Sequence, residues 1–366
     1  MKYFDTYTSN SLTPAANQRY FVPSDPRAVC TARAFYRVFA GGRYNYSFLF
    51  SNILDSTYAD GSVGHMNLVC DEWEIVSASV GTVDFCDMDG MPEVGNLTAL
   101  TFDGRTQKTV APGEFFSTDA VELSPRAGQY ICLELSFRGR MIPYHEEHMI
   151  PIFVKGEGGW CATKKMPLAC MMGCDRPVDC RIGFIGDSIT QGLGTPQNSF
   201  THYAAVISDI LGEGYSYWDL GIGYARANDA ATDGAWLFKA KQVDVITVCL
   251  GVNDVFHGRT AEETIAALET VFAKLRAAGV KVILQTVPPF DYPPEARAKW
   301  EKVNAYIVNE MASRADGFFD VRPILSRSDD EPHMAKFGGH PNAEGHALWG
   351  KALAEVVREV AEKTKR

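Results

Sequence analysis

With 366 residues, the chain is long enough for about two domains with substantial cores. Its 46% hydrophobic and 22% charged residues describe an ordinary globular protein. A formal charge of −10 argues against nucleic acid or an anionic membrane surface as partner. No run approaches the roughly 18 apolar residues of a membrane span, and no membrane partner is expected. The polar N-terminus MKYFDTYTSNSL has no apolar signal core, so a cytoplasmic location is expected. Nine cysteines, odd in number and scattered, read as reduced thiols in that compartment, where the sequons at Asn45 and Asn96 carry no meaning.

Residues 1–165 read as β. Runs at 35–39, 45–50, 73–80, 97–102, 120–123 and 130–137 are rich in aromatic and β-branched residues. Gly41-Gly42, Asp60-Gly61, Asp89-Gly90, Asp103-Gly104 and Pro112-Gly113 punctuate them as turns. Short strands with frequent turns and no long helix predict an antiparallel, jelly-roll-like β-sandwich. Residues 155–180 form the join, with the linker proper at 166–180. Cys161, Cys170, Cys174 and Cys180 lie here, with His145 and His148 upstream, but the spacing lacks the paired C-x2-C knuckles of a zinc site. Buried thiols are the expectation, with no metal and no cofactor. Trp160 and the neighbouring methionines are expected at the seam between the domains.

From Arg181 the pattern alternates. Strand candidates at 182–185, 216–220, 243–250, 280–287 and 317–321 are separated by helical patterns at 199–212, 227–240, 261–278 and 295–314, with a last helix at 342–363. Continuous apolar strands between helices predict a parallel sheet covered on both faces, a three-layer α/β/α domain over 181–366. The Thr260-Ala261-Glu262-Glu263 start and Gly279 bracket one of these helices.

The chemistry gathers at strand ends. In RIGFIGDSITQG the turn Gly186-Asp187-Ser188 follows a short apolar strand and presents a serine hydroxyl above the sheet. Thr190 stands where G-x-S-x-G needs its second glycine, which argues against the α/β-hydrolase elbow. Asp219-Leu220-Gly221-Ile222-Gly223-Tyr224 ends the second strand and Gly251-Val252-Asn253-Asp254 the third; Gly338-Gly339-His340-Pro341-Asn342 precedes the last helix. Each alone reads as loop or capping chemistry. Their order and placement together point to a nucleophile, a base and hydrogen-bond donors around one crevice.

Taken jointly, these stretches resemble the SGNH, or GDSL, hydrolases. Gly186-Asp187-Ser188-Ile189-Thr190 is similar to the first block of that family, Gly251-x-Asn253-Asp254 to the third and His340-Pro341-Asn342 to the last. The resemblance covers about 180–360 and implies a flavodoxin-like catalytic domain. The region before it, notably LTFDGRTQKTVAPGEFFSTDAVEL with Ser51-Asn52 upstream, resembles the sandwich that precedes this domain in some members. The implied roles are Ser188 as nucleophile and His340 as general base. The backbone N–H of Ser188, an N–H from the second block (Gly223) and the Asn253 amide would form the oxyanion hole. Asp187 and Asp254 read as structural.

Two positions depart from the family. Tyr224 aligns with the usual second-block glycine, with Gly223 able to serve by a one-residue shift. Phe337 stands where the family has an aspartate three residues before its histidine. Either Asp329, Asp330 or Glu331 reaches in as the orienting acid, or a backbone carbonyl orients His340 in a Ser–His dyad. His257, His333 and His346 read as ordinary surface or core histidines. The resemblance implies a serine esterase removing a small acyl group, foremost acetyl, from a carbohydrate. Trp160, Trp218, Trp236 and Tyr224 would supply aromatic faces near the crevice. The alternatives are a lipase-like acylhydrolase, lysophospholipase or thioesterase, and, from another class, a carbohydrate-binding protein with a degenerate hydrolase domain. Partners are then small-molecule or oligosaccharide esters.

Overall fold

The computed structural model describes residues 2–12, 17–55, 67–145 and 149–365. The expected turn at Asp60-Gly61 and the side chain of His148 lie outside these residues. Two compact units are present, one running to Pro177 and the other Val178–Arg366.

The first unit is built from antiparallel strands in two main sheets. One contains Thr8–Ser9, Met171–Cys174, Tyr44–Ser51, Phe115–Ser117 and Val121–Leu123; the other contains Gly159–Ala162, Ile152–Gly156, Cys30–Arg37, Tyr130–Gly139, Trp73–Val83, Thr98–Ala99 and Lys108–Val110. Strand alternation decides which side chains meet. Ile131, Leu133, Leu135 and Phe137 enter a core shared with Tyr46, Phe48, Phe50 and Met172 of the facing sheet. Tyr130 and Cys132, pointing the other way, join Phe35, Val83, Cys86 and Phe153 in a second cluster on the outer face. The sheet is therefore apolar on both sides, and its runs look continuous rather than alternating.

Polar staples fix the turns. Asn52 accepts a hydrogen bond from Trp73 Nε1 at 2.9 Å and donates to the carbonyls of Asp71 at 3.0 Å and Ala111 at 2.9 Å. The Asp119 carboxylate takes the Thr101 hydroxyl at 2.6 Å and the Gly104 N–H at 2.8 Å. The motif residues of 100–123 thus hold loops. Residues 166–180, expected as a linker, contain a strand of the first unit, Met171–Cys174, paired with Tyr44–Ser51. Its apolar residues belong to a buried strand of this unit. Trp160 also belongs to this unit: it packs against the outer-face cluster, with the Arg33 guanidinium 4.5 Å above its ring. All nine cysteines are free thiols. No described helix is long and apolar enough to cross a membrane.

The second unit is a five-stranded parallel sheet of β1 (Cys180–Gly186), β2 (Tyr215–Gly221), β3 (Val245–Cys249), β4 (Lys281–Gln285) and β5 (Gly317–Phe319), counted among the described residues. The order is β2-β1-β3-β4-β5, so chain direction across the sheet reverses at β1. Such a switch point leaves a crevice at the carboxyl ends of the strands. The helix Ala261–Ala277 starts with a capping box, Thr260 Oγ1 accepting from Glu263 N at 3.1 Å and Glu263 accepting from Thr260 N at 2.9 Å. It buries Thr264, Ala267, Leu268, Val271, Phe272 and Leu275, a stripe at helical spacing. The expected helix at 227–240 is two short ones, Ala227–Ala231 and Ala235–Ala240, interrupted where Asp233 adopts φ 62°.

Leu133→Ala is expected to destabilise the first unit by about 2–5 kcal/mol, because Leu133 is fully buried between the sheets. Urea unfolding followed by tryptophan fluorescence measures it.

Candidate active site

Ser188 stands two residues beyond the end of β1, with β2 and β3 hydrogen-bonded on either side. The turn that presents it is forced by close packing. A Cβ at Gly186 would collide with the Thr190 hydroxyl and lie 2.8 Å from the Cys249 carbonyl. Asp187 Oδ1 accepts the Ile189 N–H at 3.0 Å, and Leu193 N donates to the Ser188 carbonyl at 2.9 Å. The result is a tight serine turn, with Ser188 only 9% exposed.

His340 reaches the same point from a distant part of the chain. Its Nε2 lies 2.7 Å from Ser188 Oγ. With Nε2 accepting the serine proton, the neutral ring carries its own proton on Nδ1. Burial pushes the His340 pKa below its usual value. Phe290 meets the ring edge-on, centroids 5.1 Å apart. Gly194, at φ 98°, lets the turn after Ser188 pass close under the His340 backbone: a Cβ there would stand 2.7 Å from the His340 carbonyl.

No orienting carboxylate accompanies His340 among the described residues. Asp329, Asp330 and Glu331 are exposed, and Glu331 pairs with Arg327 at 3.6 Å. Phe337 packs on Gly345, where a Cβ would lie 2.8 Å from Phe337 Cβ and 2.9 Å from its ring. The Lys336 ammonium covers that ring at 5.1 Å. The Phe337 carbonyl accepts Asn342 N at 3.1 Å, and Asn342 Oδ1 caps the last helix, Ala343–Glu362, through Gly345 N at 3.0 Å. Phe337 therefore helps build the helix start.

The two other stretches flank the serine. After β3, the short helix Val252–Phe256 begins at Gly251, held at φ 130° against Val287. Asn253 in its first turn donates Nδ2 to the Ala225 carbonyl at 3.0 Å. Asp254 does not cap its own helix. It accepts the N–H groups of Ala227 at 2.8 Å and Asn228 at 3.4 Å, and so ties the loop after β2 to the end of β3. In that loop Gly223 is buried, whereas Tyr224 is 44% exposed at φ 63°. For a bulky residue this left-handed backbone costs roughly 1–2 kcal/mol. Ser188, Gly223 and Asn253 thus come from the carboxyl ends of three adjacent strands. Trp218 and Trp236 are buried in the core.

Behind the serine lies a run of buried groups. Thr190 Oγ1 and the Tyr203 hydroxyl are 2.9 Å apart, and the Tyr203, His346 and Trp349 rings lie near-parallel in one cluster, with Tyr203 4.2 Å from Trp349 and 6.1 Å from His346 between centroids. Tyr203 N donates to His346 Nδ1 at 3.2 Å, and burial pushes His346 down to about 3, so it stays neutral. Asp219 accepts Gly221 N at 2.7 Å and approaches His202 at 3.3 Å. Burial raises Asp187 to about 7, helped by the nearby Asp254, itself raised by burial to about 6. Asp187, Thr190 and Asp219 of this group lie in the motif stretches, whereas Phe290 and Tyr203 carry no sequence signal beyond apolar patterning. His257 ends the helix Val252–Phe256, and His333 lies half-buried in the loop before His340.

Residues 184–348 match the family model of the GDSL-like lipase/acylhydrolases. Among solved structures, a carbohydrate acetylesterase from Sinorhizobium meliloti is similar at 17% identity, covering 49% of this chain and 99% of that one, TM-score 0.40. An aryl esterase from M. smegmatis is similar at 20% identity, covering 49% and 99%, TM-score 0.39. An esterase from Pseudoalteromonas sp. is similar at 15% identity, covering 49% and 97%, TM-score 0.38. The search of curated proteins returns no match.

Two outcomes follow from the titration directions. A base must be neutral, so the acid limb of kcat/KM is expected below the ordinary histidine value of about 6.5, with activity rising to a plateau as pH increases. For Asp187 the folded pKa lies above the unfolded value of about 3.9, so the native state holds a proton the unfolded state has lost. Its contribution to stability is therefore present below pH 4 and lost by about pH 7. Asp187→Asn, which keeps the acceptor for Ile189 N, is expected to gain stability relative to the parent as pH rises through that window; denaturant midpoints at pH 4, 5.5 and 7 measure it.

Proposed function

The second unit belongs, through residues 184–348, to the GDSL-like lipase/acylhydrolase family, and from that premise we propose that the chain is a serine esterase acting through a Ser188–His340 dyad. The observation that carries this reading is the 2.7 Å approach of Ser188 Oγ to His340 Nε2 at a sheet switch point. Ser188 Oγ attacks the ester carbonyl while His340 Nε2 takes its proton. The oxyanion is held by the Ser188 N–H, the Gly223 N–H and the Asn253 amide, whose carboxamide is already fixed by its bond to Ala225. Collapse expels the alcohol, which receives the proton from His340. Water then repeats the sequence on the acyl-serine and releases the acid.

Among the described residues no carboxylate pairs with His340, and in this reading packing sets the imidazole: the Phe290 edge, the chain crossing at Gly194 and the capped turn at Asn342. The acyl group in this reading is short, foremost acetyl, since a nucleophile that is 9% exposed suits a small acyl pocket. The alcohol is a carbohydrate. The support for this part is the first unit, whose strand-rich sandwich with the 100–123 run resembles the domain that precedes carbohydrate-esterase members of this family.

The expected result is acetate release from acetylated mono- or oligosaccharides, with turnover of p-nitrophenyl esters falling steeply beyond short chains. Ser188→Ala and His340→Ala should each lower kcat by at least about 10³-fold. Good turnover of long-chain esters with none of acetylated sugars would move the protein to the lipase-like class. Sugar binding undiminished in Ser188→Ala, with no hydrolysis by the parent, would make it a binding protein.

A further inference from the structure

His340 is contacted from outside its own loop by Phe290-Asp291, a dipeptide beyond the carboxyl end of β4 that no motif marks. Phe290 makes a T-shaped contact with the imidazole, centroids 5.1 Å apart and planes at 80°. The same ring lies against Gly339, where a Cβ would stand 3.2 Å from it, so the residue before the base has little room for a side chain. Phe290 is itself braced. Phe256 packs against it at 5.4 Å and stacks on Tyr292 at 5.0 Å. The Tyr292 hydroxyl donates to the Pro288 carbonyl at 3.1 Å, and Trp300 Nε1 to the Val287 carbonyl at 2.9 Å. Two backbone ties run from the same place to the loop that carries His340. Phe290 N donates to the His333 carbonyl at 3.3 Å, and Asp291 Oδ1 accepts Ala335 N at 2.9 Å. The Arg327 guanidinium stands 3.6 Å from that carboxylate oxygen.

We propose that Phe290 and Asp291 act as a pair that positions the His340 base, Asp291 fixing the loop that carries it and Phe290 the plane of its ring. This rests on the esterase reading above and supplies it with an acid that the sequence motifs do not name. A carboxylate accepting a backbone N–H makes a charge-assisted bond, stronger than a neutral one. The Arg327 pair is about half-exposed on both sides and adds little. An acid thus still serves the base, through the backbone of its loop instead of through the imidazole. Asp291 sits at φ 52°, a conformation that aspartate, asparagine and glycine all tolerate, so the three can be compared there without new backbone strain.

The test uses the full chain on p-nitrophenyl acetate, comparing the parent with Ser188→Ala, Asp291→Gly, Asp291→Asn, Phe290→Ala and Phe290→Tyr, with thermal unfolding alongside. Asp291→Gly removes the acceptor and keeps the backbone conformation; kcat should fall at least about tenfold with KM near the parent's. Asp291→Asn, which keeps an oxygen for Ala335 N, should recover most of that loss. Phe290→Ala should lower kcat by a similar factor. It also admits water to a ring whose pKa burial holds down, so the acid limb of kcat/KM should move up toward about 6.5. Phe290→Tyr should leave the limb in place. His346, the titratable group whose charge couples to His340, stays neutral throughout and does not move this limb. Parent-like kcat in Asp291→Gly and Phe290→Ala, with Ser188→Ala inactive, overturns the positioning role and leaves the esterase reading intact. So does a loss that tracks a falling Tm, is not recovered by Asp291→Asn and leaves the acid limb of Phe290→Ala unmoved. A fully active Ser188→Ala overturns the esterase reading and this inference with it.

Discussion

The contact between Ser188 Oγ and His340 Nε2 joins residues 152 apart in sequence, and most of the second unit can be understood as the means of holding them at 2.7 Å. The sheet order places β1 between β2 and β3, so the chain leaving β1 must turn in a narrow space. Gly186 admits that turn because any side chain would strike Thr190 and the Cys249 carbonyl. On the other side, the capped start of the last helix aims the His340 loop back at the serine. Gly194 then lets the two loops touch along their backbones. Thr190, Tyr203 and His346 connect the serine turn to the last helix beneath the surface.

Among the described residues no carboxylate stands beside His340, which changes what the protein has to supply. In a triad, an acid fixes the tautomer and stabilises the imidazolium. Here Phe337 occupies that sequence position and packs on Gly345, so the ring depends on Phe290 and on loop geometry. Burial holds the His340 pKa down, which favours the neutral base but opposes its protonation during attack. Under the proposed dyad more weight falls on the oxyanion donors, and the loops bearing Gly223 and Asn253 are tied together by Asn253 to Ala225 and by Asp254 to Ala227 and Asn228.

The parallel sheet was legible because its strands are buried on both faces and read as continuous apolar runs of the right length. The sandwich was legible in class and incomplete in detail. Lys108–Val110 and Phe115–Ser117 are too short for a two-residue period to register, and Met171–Cys174 was hidden in a cysteine-rich stretch that resembled a linker. Asp233 breaks the expected helix at 227–240 through a local left-handed turn, and Val252–Phe256 is helical although Gly251-Val252-Asn253-Asp254 has the composition of a loop. At the site, motif order points to Ser188, Asn253 and His340, and the fold brings Ser188 and His340 within 2.7 Å. Asp254 was read as structural, but its true partners, the first N–H groups of a neighbouring helix, required the fold. Asp330 and Glu331 were near in sequence and solvent-exposed in space, a distinction that loop sequence does not encode. Phe290 had no signal at all.

The most direct measurement is the rate at which a phosphonate ester labels the chain, with the adduct located by peptide mass. The parent is compared with His340→Ala, Asp330→Asn and Glu331→Gln. The dyad account predicts a single adduct on Ser188, labelling that collapses in His340→Ala, and rates near the parent's in both carboxylate variants. Labelling elsewhere, or a loss in Asp330→Asn or Glu331→Gln comparable to that in His340→Ala, would contradict it.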